Sequence, residues 1–245
     1  MNIRVLTLLV LLGFVLPAQA MAQDCGKDTS LAGLTRCAGV AVDMLPQAKR
    51  ARLDAEIAAL EAQIAGEVRP ANTQLAYPDY GWEAARLLVS SGGVDRLIMT
   101  ARQKSGALRY GRAEALHAAG SRAAGFHQDD EAAQRLAMTS GAAEKLNDEL
   151  LSLARSAEAF ERGDLAHAAA MLAAERCDLS RFDAARAMTL APDALRYKFW
   201  RARITGDRVG LPEAIMLAAD SEDSGAARQA IDGITFLVEH GACGT

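Results

Sequence analysis

The feature that most restricts this chain is an internal echo. Phe160–Glu175, FERGDLAHAAAMLAAE, returns at Ile204–Asp220 as ITGDRVGLPEAIMLAAD. Both stretches run Gly-Asp, then a short amphipathic segment, then Met-Leu-Ala-Ala and an acid. The Gly-Asp pairs begin 43 residues apart and the Met-Leu pairs 45 apart, so the second stretch carries two more residues after its turn. Two-helix units produce spacings of this size. Gly tolerates the left-handed conformation that ends a helix, and a following Asp caps the next helix by accepting a free backbone N–H. Gly163-Asp164 and Gly206-Asp207 are therefore expected to be helix-to-helix turns. Before the first turn Leu146, Leu150, Leu153, Ala157 and Phe160 share a helical stripe, and after it Leu165, Ala168 and Leu172 form a second. The reading is an antiparallel pair over 142–161 and 165–176, with Leu172 and Ile215 facing a shared core.

The same architecture extends to the whole chain. Ala dominates the apolar residues and aromatics are only 5%, which suits close helix packing rather than a strand-rich sandwich. The expected fold class is all-α, stacked antiparallel helix pairs in the manner of an α-solenoid, following a cleaved signal peptide. Three segments are expected: residues 1–22 as the signal, 23–126 as an N-terminal helical region and 127–245 as a helical-repeat region.

Arg4 supplies the basic start of the signal and Val5–Leu16 its apolar core. Ala18-Gln19-Ala20 or Ala20-Met21-Ala22 supplies a small-x-small cleavage site. Pro17, Gln19 and the short apolar core argue against an uncleaved anchor. Asp24 ahead of Cys25 makes a poor lipoprotein site. The mature chain is thus expected to be periplasmic or secreted, with no transmembrane segment left after cleavage. Lys plus Arg number 27 against 31 Asp plus Glu, and loss of Arg4 makes the balance more negative. An acidic exported chain is a poor nucleic-acid binder.

All four cysteines follow the signal, and no spacing is C-x-x-C. In an exported chain an even count points to disulfides. The expected pairs are Cys25–Cys37, a short loop worth about 3 kcal/mol in the chain-entropy model, and Cys177–Cys243, tying the C-terminal tail to the segment after the central helix pair.

In the N-terminal region Asp28–Met44 reads as a first helix. A second starts at Pro46, where Leu53, Ile57, Leu60 and Ile64 form a core-facing stripe too short for a coiled coil. Arg69–Trp82, RPANTQLAYPDYGW, breaks the helical pattern and carries Tyr77, Tyr80 and Trp82, a candidate binding loop. Ser90-Ser91-Gly92-Gly93 separates a short helix from Val94–Lys104, and Ala107–Phe126 follows. Later, Ser180 with Asp183 resembles a capping box, Pro192 and Pro212 mark helix starts, and Gly241 ends the last helix.

Gly163-Asp164-Leu165, Ala168 and Leu172, with Leu190-Ala191-Pro192-Asp193-Ala194, resemble tetratricopeptide-type helical repeats. The turn, the small packing residue and the larger apolar residue stand as in that family's second helix, and the Pro-containing run as in its closing turn. Ser152, Arg155 and Ser156 stand where its first helix carries Trp, Leu and Gly. The resemblance covers roughly the last 100 residues. It implies an adaptor that binds other proteins along a concave face.

No G-x-S-x-G, phosphate loop, H-E-x-x-H or C-x-x-C-H is present. His117, His127, His167 and His240 are not spaced for a metal site, and neither metal nor cofactor is expected. Arg196, Trp200, Arg201 and Arg203 lie in the densest basic-aromatic run, RYKFWRAR. Together with Tyr77, Tyr80 and Trp82 they are the candidate partner-binding residues, because Arg, Tyr and Trp carry interface energy. A locally basic strip suits an envelope protein with an acidic surface. The expected function is a non-catalytic adaptor or scaffold. The alternative is an envelope enzyme acting on glycan, with a carboxyl such as Glu83 or Glu114 beside an aromatic cleft.

Overall fold

The computed structural model describes residues 29–30, 32–34, 77–104, 108–126, 131–137, 141–220 and 224–243. The signal region, Cys25, Cys37, the 53–64 stripe and residues 69–76 lie outside them. Among the described residues the regular elements are helices and there is no strand. None of these helices is long and apolar enough to cross a membrane. In order they are α1 (Tyr77–Gln103), α2 (Leu108–Ala123), α3 (Glu131–Ala137), α4 (Ala142–Ser156), α5 (Ala159–Glu175), α6 (Leu179–Arg186), α7 (Leu195–Thr205), α8 (Leu211–Asp220) and α9 (Ser224–His240). They fall in two compact units, one of Gln63–Asp193 and one containing Ala194–Thr245.

In the Gln63–Asp193 unit, α1 kinks where the sequence places a break. Gly93 has φ 76 and ψ −169, a conformation a side chain would resist. Helix α2 then packs on α4 and α5. Leu116, Leu146, Leu150, Leu165, Leu172 and Phe182 fill the interior. Gly120 permits the close approach of α2 to α5. A Cβ there would lie 2.3 Å from Leu172 Cδ2, and Leu172 is fully buried.

The central pair is present, but its turn is not at Gly163-Asp164. Helix α4 stops at Ser156, and Ala157 and Glu158 are both extended, with ψ 155 and 158. Helix α5 begins at Ala159 and runs through Gly163 and Asp164 without interruption. Gly163 serves a different purpose from the expected left-handed turn. A Cβ on it would fall 2.6 Å from Leu190 Cγ, so the missing side chain makes room for Leu190. The earlier turn throws Phe160 off the core stripe and leaves it 74% exposed. The cap of α6 also differs from expectation: Asp178, not Ser180, accepts the Arg181 N–H at 3.0 Å, and Ser180 is exposed inside the helix.

In the second unit the Gly-Asp pair does form the expected helix-to-helix turn, although Asp207 closes a turn inside the loop and does not cap α8, which starts at Leu211. Gly206 ends α7 at φ 73 and donates its N–H to Ala202 O at 2.9 Å. Asp207 Oδ1 then accepts the Val209 N–H at 3.0 Å, and Pro212 stands in the first turn of α8. Helices α7 and α9 pack where Gly233 faces Phe199, whose Cδ2 would lie 2.4 Å from an added Cβ. Gly241, φ 64, follows the end of α9. Leu172 and Ile215 are both buried, the first in the Gln63–Asp193 unit and the second in the other.

Candidate functional site

An open groove of about 950 Å3 runs between α1 beyond Gly93 and α4. Asp95, Ile98, Met99 and Arg102 come from α1 at steps of three, one and three residues, which places them on one side of that helix. Glu144, Lys145, Asp148, Glu149 and Ser152 face them from α4. Two ion pairs span the groove. Lys145 pairs with Asp95, and Arg102 grips Glu149 with both arms, Nε to Oε1 at 2.7 Å and Nη2 to Oε2 at 2.6 Å. The Glu149 side chain is only 5% exposed, and this bidentate bond compensates its loss of water. The other two carboxylates are held by arginines from the end of α5 and from α6. Glu144 pairs with Arg176, and Asp148 accepts from Arg181 at 2.7 and 3.0 Å. Arg181 also binds the cap residue Asp178, and its hydrogen bonds hold that carboxyl below its ordinary range against the opposing effect of burial. Ile98 is buried in the wall, while Met99 is 56% exposed.

A polar seam lies between α2 and α5 in the same unit. Glu114, His117 and Ser121 share a face of α2. Ser121 donates to Glu175 Oε2 at 2.5 Å and His117 Nε2 lies 3.1 Å from Glu175 Oε1. The Ser121 hydroxyl lies 3.2 Å from that same Nε2. A nucleophilic relay needs the serine on one imidazole nitrogen and the carboxylate on the other. Here both groups meet one nitrogen and the serine proton goes to the carboxylate, so the trio ties the helices together. Further along, burial raises the Glu114 carboxyl above its ordinary range and Asp164 adds to the rise, while burial and Glu161 raise Asp164 itself. Glu161 is neutralised by Arg112 at 2.6 Å and Lys104 at 2.8 Å. Among the described residues no group of three His, Cys, Asp or Glu side chains is placed to hold a metal ion.

The residues singled out in the sequence are distributed otherwise than one binding surface requires. Tyr77, Tyr80 and Trp82 have helical backbone at the start of α1, so this part of the expected loop is helix; their side chains, and that of Glu83, lie outside the described residues. Trp200 is buried, with its ring 5.4 Å from Tyr197 and 5.3 Å from Phe236. Arg203 is buried as well, donating to His240 O at 3.1 Å and Cys243 Sγ at 3.0 Å. These two side chains, expected at a partner surface, are consumed by packing because α7 contacts both α8 and α9. Arg201 is exposed and Arg196 half-buried. Cys177 and Cys243 are both disulfide-bonded, as their expected pairing requires.

Sequence reasoning passed over the groove. Its one legible signal is the repeated charged doublet of α4, Glu144-Lys145 and Asp148-Glu149, four residues apart and so on one side of a helix. The partners Asp95 and Arg102 lie about 50 residues away and are brought opposite only by the fold. Comparison of the chain with protein-family models, with curated proteins and with solved structures finds no match.

Proposed function

We propose that the protein is a non-catalytic binding module of the cell envelope, built on helical-repeat lines, which seats a segment of a partner protein in the α1–α4 groove. One observation carries the reading: an open trough walled by two helices, with Met99 at its lip and its charges already held in pairs. Preformed pairs fix side chains in place, so less conformational entropy is lost when a partner docks. Arg102 and Lys145 are the cations of the lining, both more than half exposed, so an acidic segment can pair with them from the open side while Glu149 and Asp95 stay bound. Export is supported by the signal-like first 22 residues and by the even set of cysteines. Glycan cleavage is the second reading, favoured by the raised carboxyls of Glu114 and Asp164. Those groups are not among the groove's lining, whereas a glycosidase needs its acid at the substrate cleft.

The test places a photo-crosslinking residue at Met99 or, for comparison, at exposed Val209 in the other unit. Expressed in its native envelope, the Met99 variant should yield defined adducts that Val209 does not, and Lys145→Glu should weaken them. Identical adducts from both positions, or none, would overturn the groove as the site. Hydrolysis of cell-wall glycan by the purified protein would replace the binding reading with the enzymatic one.

A further inference from the structure

Met99 stands apart from the other methionines of the described residues. Met171, Met188 and Met216 are each partly covered, whereas Met99 is 56% exposed. It is also the apolar side chain of the groove that solvent reaches, because Ile98 beside it is buried. Apart from Gly141, the rest of the lining is charged or polar. Arg102 follows Met99 by three residues on the same side of α1. Its Nε and Nη2 are committed to Glu149, and among the described residues Nη1 has no acceptor. The whole arrangement lies within the Gln63–Asp193 unit.

We propose that Met99 is an oxidation site that regulates the groove, an inference that rests on the reading of the groove as a docking site. The oxidant must reach the sulfur lone pair, so exposure ranks the methionines and places Met99 first. As a thioether, Met99 is a flexible and polarizable apolar surface that adapts to the side chain seated on it. As a sulfoxide it is polar. An apolar side chain can then seat there only by stripping water from the S=O dipole, which costs free energy unless the oxygen gains another donor. Arg102 is the nearby donor, so oxidation turns the apolar lip of the groove into part of its polar lining.

The co-reactant is hydrogen peroxide. The sulfur lone pair attacks one peroxide oxygen, the O–O bond breaks and, after proton transfer, the products are the sulfoxide and one water. The sulfur gives up two electrons and the peroxide takes them, so nothing further is needed to balance the step.

The probe for the groove is a fluorescent peptide of alternating Glu and Leu, compared with a Glu-Ser peptide of the same length. The purified protein is treated with a limiting amount of hydrogen peroxide, sulfoxides are located by peptide mapping, and binding of each peptide is read by fluorescence anisotropy. Met99 should carry the sulfoxide in several-fold excess over Met171, Met188 and Met216. Its oxidation should weaken the Glu-Leu peptide by about five- to tenfold, and the Glu-Ser peptide by much less. In Met99→Leu, whatever its own affinity, peroxide should leave Glu-Leu binding where it stood before treatment. Equal oxidation of the four methionines, undiminished Glu-Leu binding by protein carrying the Met99 sulfoxide, or the same loss in Met99→Leu would overturn the proposal. Failure of the untreated protein to bind the Glu-Leu peptide would remove the docking reading and the regulation with it, and the sulfoxide map distinguishes that failure from the others.

Discussion

At Gly206-Asp207 the glycine takes φ 73, closes α7 and hands the chain to an Asp that organises the next turn. At Gly163-Asp164 the same dipeptide lies inside α5, with helix continuing through Leu165 toward Met171. Their surroundings separate the two. After Gly206 the chain meets a second left-handed glycine, Gly210 at φ 79, and then Pro212, so turning is favoured over several residues. After Gly163-Asp164 it meets Leu-Ala-His-Ala-Ala-Ala, a run rich in the strong helix formers Ala and Leu, and the direction change has already been made at Ala157-Glu158. A glycine inside a helix costs about 1 kcal/mol relative to Ala. At Gly163 the close seat of Leu190 offsets part of that. A Gly-Asp pair therefore permits a turn without dictating one.

The largest effect expected is from Asp164→Pro. Inside a helix it removes a backbone hydrogen bond and clashes with the preceding turn, at about 3 kcal/mol or more, measured by chemical denaturation. If 163–164 were a turn, Pro at the start of the next helix would be tolerated.

Gly120→Ala sharpens the contrast between approach and turning. Its Cβ meets buried Leu172 and has no room to move, so a loss of about 1–3 kcal/mol is expected by the same measurement. Gly206→Ala comes next, at about 1 kcal/mol, because it forces a side chain into the left-handed region although nothing lies within 4 Å. Gly163→Ala should change stability by less than about 0.5 kcal/mol. Leu190, 65% exposed, can swing into solvent while the helix gains propensity. Losses of equal size at 163 and 206 would contradict the distinction.

A pH-dependent effect concerns the side chain of Asp164, which lies close enough to Glu114 of α2 to add to the rise that burial imposes on that carboxyl. A carboxyl raised on folding gives its full contribution below the ordinary carboxylate range and loses it as pH rises through its raised value. Glu114→Gln should therefore stabilise the protein at pH 7, by about 1 kcal/mol at most. The gain should vanish on acidification below the ordinary range, as followed by thermal melts across pH. A gain that persists in acid would mean that Glu114 is not the group responsible.

Much of the fold was legible in local pattern. The Gly93 break, the left-handed Gly206, the start of α8 at Pro212 and the end of α9 at Gly241 each follow from one residue's backbone chemistry. The turn at Ala157-Glu158 was not, because neither residue has a strong turn preference and the Gly-Asp pair nearby does. Nor was the fate of Trp200 and Arg203. Aromatic and Arg side chains suit an interface and a small core equally, and only the packing of α7 decides between them. The groove escaped for the reason that its ion pairs join residues far apart in the chain.

Native-state hydrogen exchange of the amides from Ser156 to Glu175 tests the central distinction most directly. In an uninterrupted α5 the N–H groups of Gly163, Asp164 and Leu165 are bonded within the helix and should exchange slowly, with fast exchange confined to the residues beside Ala157-Glu158. Fast exchange at Asp164 and Leu165, with protection continuing from α4 through Ala159, would place the turn at the glycine and contradict the account.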